Sequence, residues 1–198
     1  MKQTSCSVYR GKKEESKHSV YCIVLNSKNQ HIFKTEHSQK EFCLRSTLKP
    51  FQAAISIKNG THIKYKLTQK EIAITCASHH GEDKHIKTVD AILKKLQMTR
   101  KHLECGFHYP LNKKNRTFLY ANPKERSHIY NNCSGKHVGI LAHIKHLNLK
   151  PGGYIDHKHP IHQHINKFNK QQFPILTPVF DKLKNDIINK KRIFNNAQ

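Results

Sequence analysis

The stretch NNCSGKHVGILAHIKHL, residues 131–147, joins a glycine-containing turn to a long helical pattern. Ser134 and Gly135 allow the backbone to approach a neighbour closely, and the pattern predicts a helix that begins near Lys136. The segment NLKPGGY that follows is typical of a helix end. The turn resembles a phosphate-binding loop only slightly, because the leading glycine of that motif is absent. Cys133 and Lys136 stand three positions apart and can instead converge on one point.

Three further helical patterns lie upstream of this stretch. The first begins near Ser46 and ends at Gly60. The second begins with Thr68 and Glu71, which are spaced as a capping box. The third carries an apolar stripe that we assign to the core, formed by Ile86, Val89, Ile92, Leu93 and Leu96.

Strand patterns precede the helices. Two β-rich runs, residues 19–26 and 31–34, are separated by SKNQ and predict an antiparallel hairpin. Residues 105–117 are typical of a loop. Near the end of the chain, Thr177 and Pro178 predict a last helix, whose apolar stripe is Phe180, Leu183 and Ile187. Strands followed by helices predict an α+β domain.

The composition is strongly basic. The 198 residues include 36 Lys and Arg against 13 Asp and Glu, a formal net charge of +23. Such a charge attracts polyanions, but the basic residues are spread along the chain and mixed with Asn and Ile, as in proteins from A+T-rich genomes, so we do not expect nucleic acid as a partner. We find no signal peptide or membrane span and no C-x-x-C pair among the six cysteines, which favours a cytoplasmic protein with reduced thiols.

The segment RSTLKPFQA, residues 45–53, places Ser46 three positions before Lys49 at a predicted helix start. Positions i and i+3 share a face of a helix, so the amine can reach the hydroxyl. An amine that is removed from water can be neutral, and a neutral amine can accept a serine proton. Pro50 is tolerated because it falls in the first turn. The pair is either a nucleophile with its base or an exposed serine beside a solvated lysine.

Three other stretches carry side chains that could be functional. In CASHHGE, Ser78 and His79 come where a helix runs into Gly81, so they face either a cleft or a frayed helix end. Cys105 and His108 in ECGFHYP make at most half of a metal site. In DHKHPIHQH, a cluster could bind a soft divalent metal through His157, His159, His162 and His164.

Taken together, these stretches resemble the rhizobial-type, or class 3, L-asparaginases, also called the asparaginase II family. The matching pieces run in family order over residues 9–163: YRG, ES, RSTLKPFQA, CASHHGE, CGFHYP, NNCSGKHVGILA and GYIDHKHPIHQ. The resemblance implies an amidohydrolase that converts L-asparagine to L-aspartate and ammonia. It also implies an α+β fold similar to serine β-lactamases and glutaminases, with an antiparallel sheet flanked by helices. A β-lactamase itself is disfavoured, because S-D-N and K-T-G are absent.

The resemblance further implies roles for individual residues. The catalytic group would comprise a nucleophile, its base and a second hydroxyl, namely Ser46, Lys49 and Ser78. The substrate would be bound by Arg45, His79 and Glu82, with the arginine fork suited to a carboxylate. Zinc would be bound by Cys133 and Lys136, the lysine donating only as a neutral amine. Members of the family are implied to be homodimers.

One departure concerns the later part of the family pattern. Family members continue well beyond the HP motif and carry a D-G-C-G stretch that supplies an aspartate and a second cysteine ligand, whereas no cysteine follows Cys133 here. We therefore divide the chain into a truncated asparaginase-II-like domain, 1–167, and a divergent helical tail, 168–198. A missing ligand should weaken zinc binding unless a nearby histidine replaces it. The alternative function is a non-catalytic remnant or a basic nucleic-acid-binding protein.

Overall fold

The computed structural model describes residues 4–28, 30–38 and 45–173. The strands in these ranges are β1 Ser5–Arg10, β2 Lys13–Ser19, β3 Ile23–Leu25 and β4 His31–Lys34. The helices in these ranges are α1 Lys49–Lys58, α2 Thr61–Lys64, α3 Gln69–Thr75, α4 Asp83–Lys95, α5 Lys113–Ala121, α6 Ser134–His146 and α7 Pro160–Gln172. The chain divides into two compact units at position 44, so that one unit holds the strands and the other holds the helices.

The strand unit consists of two antiparallel hairpins, β1 with β2 and β3 with β4. The second hairpin confirms the predicted pairing, although its first strand is shorter than residues 19–26, because Ser19 belongs to β2. The first hairpin was not predicted from the sequence. Its strands SCSVYR and KEESKHS are exposed along nearly their whole length, so they lack the apolar alternation that reveals a half-buried strand.

The helical unit is built around α6, which packs against α1, α2, α3, α4 and α7. Five consecutive residues of α6, Ile140–Ile144, are buried, which is typical of a helix covered on all sides. The helix begins at Ser134, two residues before the predicted start. The predicted stripe of α4 is also confirmed, since all five of its apolar residues are buried in the same core as α6.

Of two local sequence signals for a helix start, one was predicted correctly and the other was missed. The capping box of α3 is confirmed: the Thr68 hydroxyl accepts from the Glu71 N–H, and the Glu71 carboxylate accepts from the Thr68 N–H. The prediction that residues 105–117 form a loop was wrong at its end, because α5 begins at Lys113. The signal was present, since the Asn112 side chain accepts from the Asn115 N–H as an N-cap.

Two glycines let α6 approach α3 closely. A Cβ at Gly135 would lie 2.2 Å from the carbonyl oxygen of Ile74, and one at Gly139 would lie 2.8 Å from the Cβ of Thr75. Glycine carries only a hydrogen atom where other residues carry a Cβ, and the two helices can approach this closely only with glycine at both positions. The approach brings the end of α3, and the residues that follow it, against the first turn of α6.

The α+β class and the antiparallel pairing are confirmed. The predicted last helix, with Phe180, Leu183 and Ile187, lies outside the described residues. The domain boundary that we set after position 167 falls inside α7, which continues to Gln172. Among the described residues, none of the helices is both long and apolar enough to cross a membrane.

Candidate active site

Lys49 is the first residue of α1 and is only 4% exposed. The 3-10 turn Arg45–Leu48 precedes it and places Leu48 in the protein interior. Pro50 occupies the first turn of α1, where an N–H has no helical partner in any case. Lys49 also borders a mostly apolar cavity whose wall includes Ile57 and Ile140. The fold therefore removes this amine from bulk water.

The Lys49 amine meets two groups directly after α3. Its Nζ donates to the carbonyl oxygen of Ala77 at 2.9 Å and to the hydroxyl of Ser78 at 2.6 Å. The Ser78 hydroxyl in turn donates to the Ser46 hydroxyl at 3.0 Å. Ser46 and Ser78 are exposed, so a substrate can approach them. We call this arrangement the Ser–Ser–Lys chain; in it the amine reaches Ser46 through Ser78.

His79 is buried, with 4% of its surface exposed, and both of its ring nitrogens are bonded inside the protein. Nδ1 accepts from the Gly81 N–H at 3.1 Å, and Nε2 lies 2.8 Å from the Ser134 hydroxyl oxygen. The His79 N–H also donates to the carbonyl oxygen of Asn132 at 3.1 Å. Burial lowers the pKa of His79 to about 4, and the nearby positive charges of His85 and Lys49 add to the shift.

Cys133 and Lys136 flank the first turn of α6. The Cys133 N–H donates to the side chain of Asn131 at 2.8 Å, and the Asn131 amide donates to the Cys105 carbonyl oxygen at 2.9 Å. Burial lowers the pKa of Lys136; Cys133 opposes this shift and Lys49 adds to it. The lowered pKa favours the neutral amine, which is the form able to donate to a metal.

Cys105 lies close enough to Cys133 and Lys136 to interact with them electrostatically. Burial raises its pKa to about 11, and its thiol donates to the His128 carbonyl oxygen at 3.3 Å. Cys105 is therefore a protonated thiol at neutral pH. His108, its partner in the predicted half-site, accepts instead from the Asn132 N–H at 3.0 Å.

The two remaining predicted substrate ligands are Arg45, at the start of the 3-10 turn, and Glu82, the N-cap of α4. Arg45 is exposed directly before Ser46, with a left-handed backbone angle φ of 48°. Glu82 directly precedes α4 and pairs with Lys84, the carboxylate and amine lying 2.9 Å apart. The side chain of Glu82 is 35% exposed.

The histidine cluster that could bind a metal does not bring three ligands together in the structure. In the described part of the chain, there is no group of three or more His, Cys, Asp or Glu side chains that could hold a metal ion. His159 instead accepts from the Ile161 N–H at the start of α7 and donates to the Lys150 carbonyl oxygen. His162 bonds to the Tyr154 carbonyl oxygen at 2.7 Å. These histidines therefore hold the connection between α6 and α7.

The groups that join these segments were not predicted from the sequence. Ser134 was recognised only as a small residue, yet its hydroxyl is fully buried between His79 and the Ile129 carbonyl oxygen, 2.8 Å from each. Lys49 also binds the backbone carbonyl of Ala77, and the identity of a side chain does not show that its backbone carbonyl is a binding partner. The contacts of Ser134 with His79 and of Ala77 with Lys49 join residues far apart in sequence, so no local spacing could reveal them.

Comparison with known families identifies the class of this chain. Residues 6–175, most of its length, match the family model described as L-asparaginase II. No curated protein matches it. The match shows an asparaginase-type amidohydrolase. The chain belongs to the L-asparaginase II family.

Proposed function

We propose that this protein hydrolyses the side-chain amide of L-asparagine to L-aspartate and ammonia, with Ser46 as the nucleophile. The observation that carries the proposal is the Ser–Ser–Lys chain, in which successive polar atoms are 3.0 and 2.6 Å apart. A serine is a weak nucleophile until a base takes its proton. Here a buried amine is connected to an exposed serine through a second hydroxyl.

During acylation a proton moves along this chain from Ser46 to Lys49, and when ammonia leaves the proton moves from Lys49 to the leaving nitrogen. Ser46 Oγ bonds to the amide carbon, its proton passes to Ser78, and the proton of Ser78 passes to a neutral Lys49. Hydroxyl hydrogens rotate freely, so the donor direction reverses easily when the amine is neutral. The carbon–nitrogen bond then breaks, and the leaving nitrogen takes the proton back as ammonia. A water molecule next attacks the acyl-enzyme, returns a proton to Ser46 and releases aspartate.

The substrate carboxylate is assigned to Arg45. A guanidinium fork pairs with a carboxylate through two parallel hydrogen bonds, and Arg45 lies next to the nucleophile. Its left-handed backbone costs about 1–2 kcal/mol for a residue with a Cβ. Strain of this kind concentrates at binding sites. A substrate-binding role for Glu82 requires its carboxylate to leave the ion pair with Lys84.

Two donors that zinc accepts lie at the start of α6, namely the Cys133 sulfur and the Lys136 amine, whose lowered pKa favours its neutral form. Zinc sites use more than two protein ligands, so these two residues alone do not complete one. When bound, the ion would act as a Lewis acid that orients and polarises the substrate carbonyl. The chain's own contribution is to present both donors from one helical turn.

The test is ammonia release from L-asparagine and from L-glutamine, side by side, with added zinc or with a chelator. We expect Ser46→Ala to lower kcat by about 10³-fold or more, since the nucleophile is lost. Ser78→Ala should lower kcat by about 10²-fold or more, because the proton path is cut. Ser5→Ala, on the exposed strand β1, is the control.

The same assay can reject each part of the proposal. Unchanged turnover in Ser46→Ala excludes Ser46 as the nucleophile, and an acyl group trapped on Ser78 and identified by mass spectrometry would transfer that role. Chelation is expected to raise KM more than it lowers kcat, because the metal is assigned to placing the substrate. If the folded wild-type protein releases no ammonia under any of these conditions, the proposed enzymatic activity is rejected.

The net charge of +23 favours one second candidate, a basic protein that binds polyanions. Its test is retention on a heparin column and the salt dependence of elution, which should be steep when many phosphates or sulfates are neutralised. Retention by a folded protein that releases no ammonia would favour this candidate. A homodimer and a cytoplasmic location stay predictions, the first of which sedimentation velocity measures.

A further inference from the structure

The side chain of His79 connects the segment that carries Ser78 to α6. His79 follows Ser78 directly, and its ring reaches Ser134 in the first turn of α6. Its backbone N–H donates to Asn132 just before that turn. The two segments that carry Ser78 and Lys136 are therefore joined at the residue next to Ser78.

The hydrogen bonds assign the protonation state of this ring. Nδ1 accepts from the Gly81 N–H, so Nδ1 carries no proton. The Ser134 hydroxyl has a single hydrogen, which it donates to the Ile129 carbonyl oxygen, so its oxygen accepts from Nε2–H. His79 is thus a neutral imidazole with its proton on Nε2. No ring nitrogen is left for a substrate, which argues against direct substrate binding.

We propose that His79 is a positioning residue that fixes Ser78 and the Ala77 carbonyl in place around the Lys49 amine, and that holds this group at a set distance from Cys133 and Lys136. The inference rests on the proposed hydrolysis. Lys49 bonds to both Ala77 and Ser78, so a shift of their segment weakens both contacts at once. Misplacement of reacting groups by about 1 Å can cost about 10²-fold in rate.

The first experiment replaces His79 in two ways. His79→Leu removes the Nε2–H donor, whereas His79→Gln keeps an N–H donor at about the same reach. We expect kcat of His79→Leu to fall by about 10- to 100-fold with little change in KM, and His79→Gln to recover much of the loss. His80→Leu changes an exposed neighbour on the same turn and should match the wild type.

A double substitution separates a specific contact from general damage. Ser134→Ala leaves the Nε2–H of His79 buried without an acceptor, and His79→Leu leaves Ser134 without its donor. If the two residues act through their mutual bond, the double variant should lose no more activity than the worse single variant. Additive losses would overturn the inference.

Two readouts do not depend on asparagine turnover. One is the rate at which phenylmethylsulfonyl fluoride modifies Ser46, followed by peptide mass spectrometry; it should fall in His79→Leu in parallel with kcat. The other is the ¹⁵N spectrum of the imidazoles, with His79 assigned by comparison with His79→Gln. It should show the Nε2–H tautomer and no titration between pH 8 and 5.

These outcomes keep the inference apart from the proposed function. An Nδ1–H tautomer, or a ring that titrates near pH 6.5, overturns the hydrogen-bond assignment whatever the activity. A folded His79→Leu with unchanged kcat and unchanged labelling of Ser46 overturns the positioning role. If His79→Leu does not fold, Ser134→Ala and His79→Gln carry the comparison. A wild type with the expected tautomer, no turnover and no labelling rejects the hydrolysis, and the positioning role with it.

Discussion

At the scale of single residues, α1 carries two lysines in opposite surroundings. Lys49 at its first position is 4% exposed and bonded to Ala77 and Ser78, whereas Lys58 at its last position is exposed to solvent. The two lysines share one helix but differ in solvent exposure, and hydrogen bonds to Ala77 and Ser78 are made by the buried one. The two lysines therefore form a matched pair for testing the base.

We expect Lys49→Met to lower kcat for ammonia release by about 10²- to 10⁴-fold, the usual contribution of a general base. Methionine keeps most of the aliphatic volume, so the variant should stay folded. Lys58→Met, on the same helix, should keep wild-type kinetics. Steady-state assays and thermal unfolding check both variants; a Lys49→Met protein with wild-type kcat would remove Lys49 from the mechanism.

His143 is a second residue whose burial has a measurable result. It is 1% exposed on α6, its Nδ1 lies 3.3 Å from the Thr61 hydroxyl, and its Nε2 has no hydrogen-bond partner in the part of the chain that the structure describes. Burial lowers the pKa of His143 from 6.5 to about 4, with His146 and His164 adding to the shift. The folded protein thus holds this ring neutral.

The sign of the pH dependence follows. Between pH 6.5 and 4 the unfolded chain binds a proton at His143 that the folded chain does not, so this contribution to stability is complete above pH 6.5 and is lost as the pH falls toward 4. We expect His143→Leu to reduce the loss of unfolding free energy between pH 7 and pH 4 by about 3 kcal/mol. Urea unfolding at several pH values measures it, with the exposed His18→Leu as control. Equal losses in the wild type and in His143→Leu would contradict the assignment.

At the scale of secondary-structure elements, the contact between α3 and α6 sets the site. Gly135 and Gly139 lie one turn apart on α6 and face Ile74 and Thr75 at the end of α3. The segment that carries Ser78 continues directly from this end. Close approach of the two helices is therefore a requirement for bringing the hydroxyls near the first turn of α6.

We expect Gly135→Ala to destabilise the protein by about 1–3 kcal/mol, because its methyl group would lie 2.2 Å from the Ile74 carbonyl oxygen and the helices must separate. Activity should fall further than the loss of folded protein explains. Gly152→Ala is the control, since its Cβ meets nothing within 4 Å. Denaturant unfolding and kcat on the same samples test this; equal behaviour of the two variants would mean that the contact tolerates a wider spacing.

Elements with a strong local pattern were predictable, and elements without one were not. The α4 stripe and the Thr68–Glu71 capping box identify helices because their signals repeat within a turn or two. Hairpin β1–β2 has no such signal, because both of its faces are mostly exposed. The central place of α6 also stayed hidden, since a helix that is buried on all sides has no polar face to orient it.

At the scale of the whole molecule, like charges dominate. The formal charge of +23 is spread over 198 residues, and the ion pairs that join described segments, such as Lys95 with Glu71, involve few of the basic residues. A large net charge opposes a compact state through self-repulsion. Dissolved ions screen that repulsion over distances of about 10 Å at 0.1 M.

We expect the melting temperature to rise as sodium chloride increases from low concentration to about 0.5 M, since screening relieves repulsion more than it weakens exposed ion pairs. For a domain of this size, each kcal/mol gained at the midpoint corresponds to about 2–4 °C. Calorimetry at pH 7.5 measures the change. A melting temperature that falls with salt would show that ion pairs outweigh the repulsion.

The candidate site was predictable in its parts and not in its assembly. Ser46, Lys49, Ser78, Cys133 and Lys136 were chosen from short motifs, and the structure brings the first three into one hydrogen-bonded chain. Which hydroxyl meets the amine depends on the path of residues 76–78 after α3. That path is set by helix packing and by the contacts of His79, and the spacing of residues within the motifs predicts neither of them.

The cysteines that the structure describes differ in their exposure to solvent. Cys6 lies exposed on β1, and of the cysteines that the structure describes it is the only one in that class of exposure. Iodoacetamide will therefore attach first to the strand unit. Cys105 is only partly exposed and its thiol pKa is raised, so its alkylation should be slower and would report local opening of the helical unit without any added label.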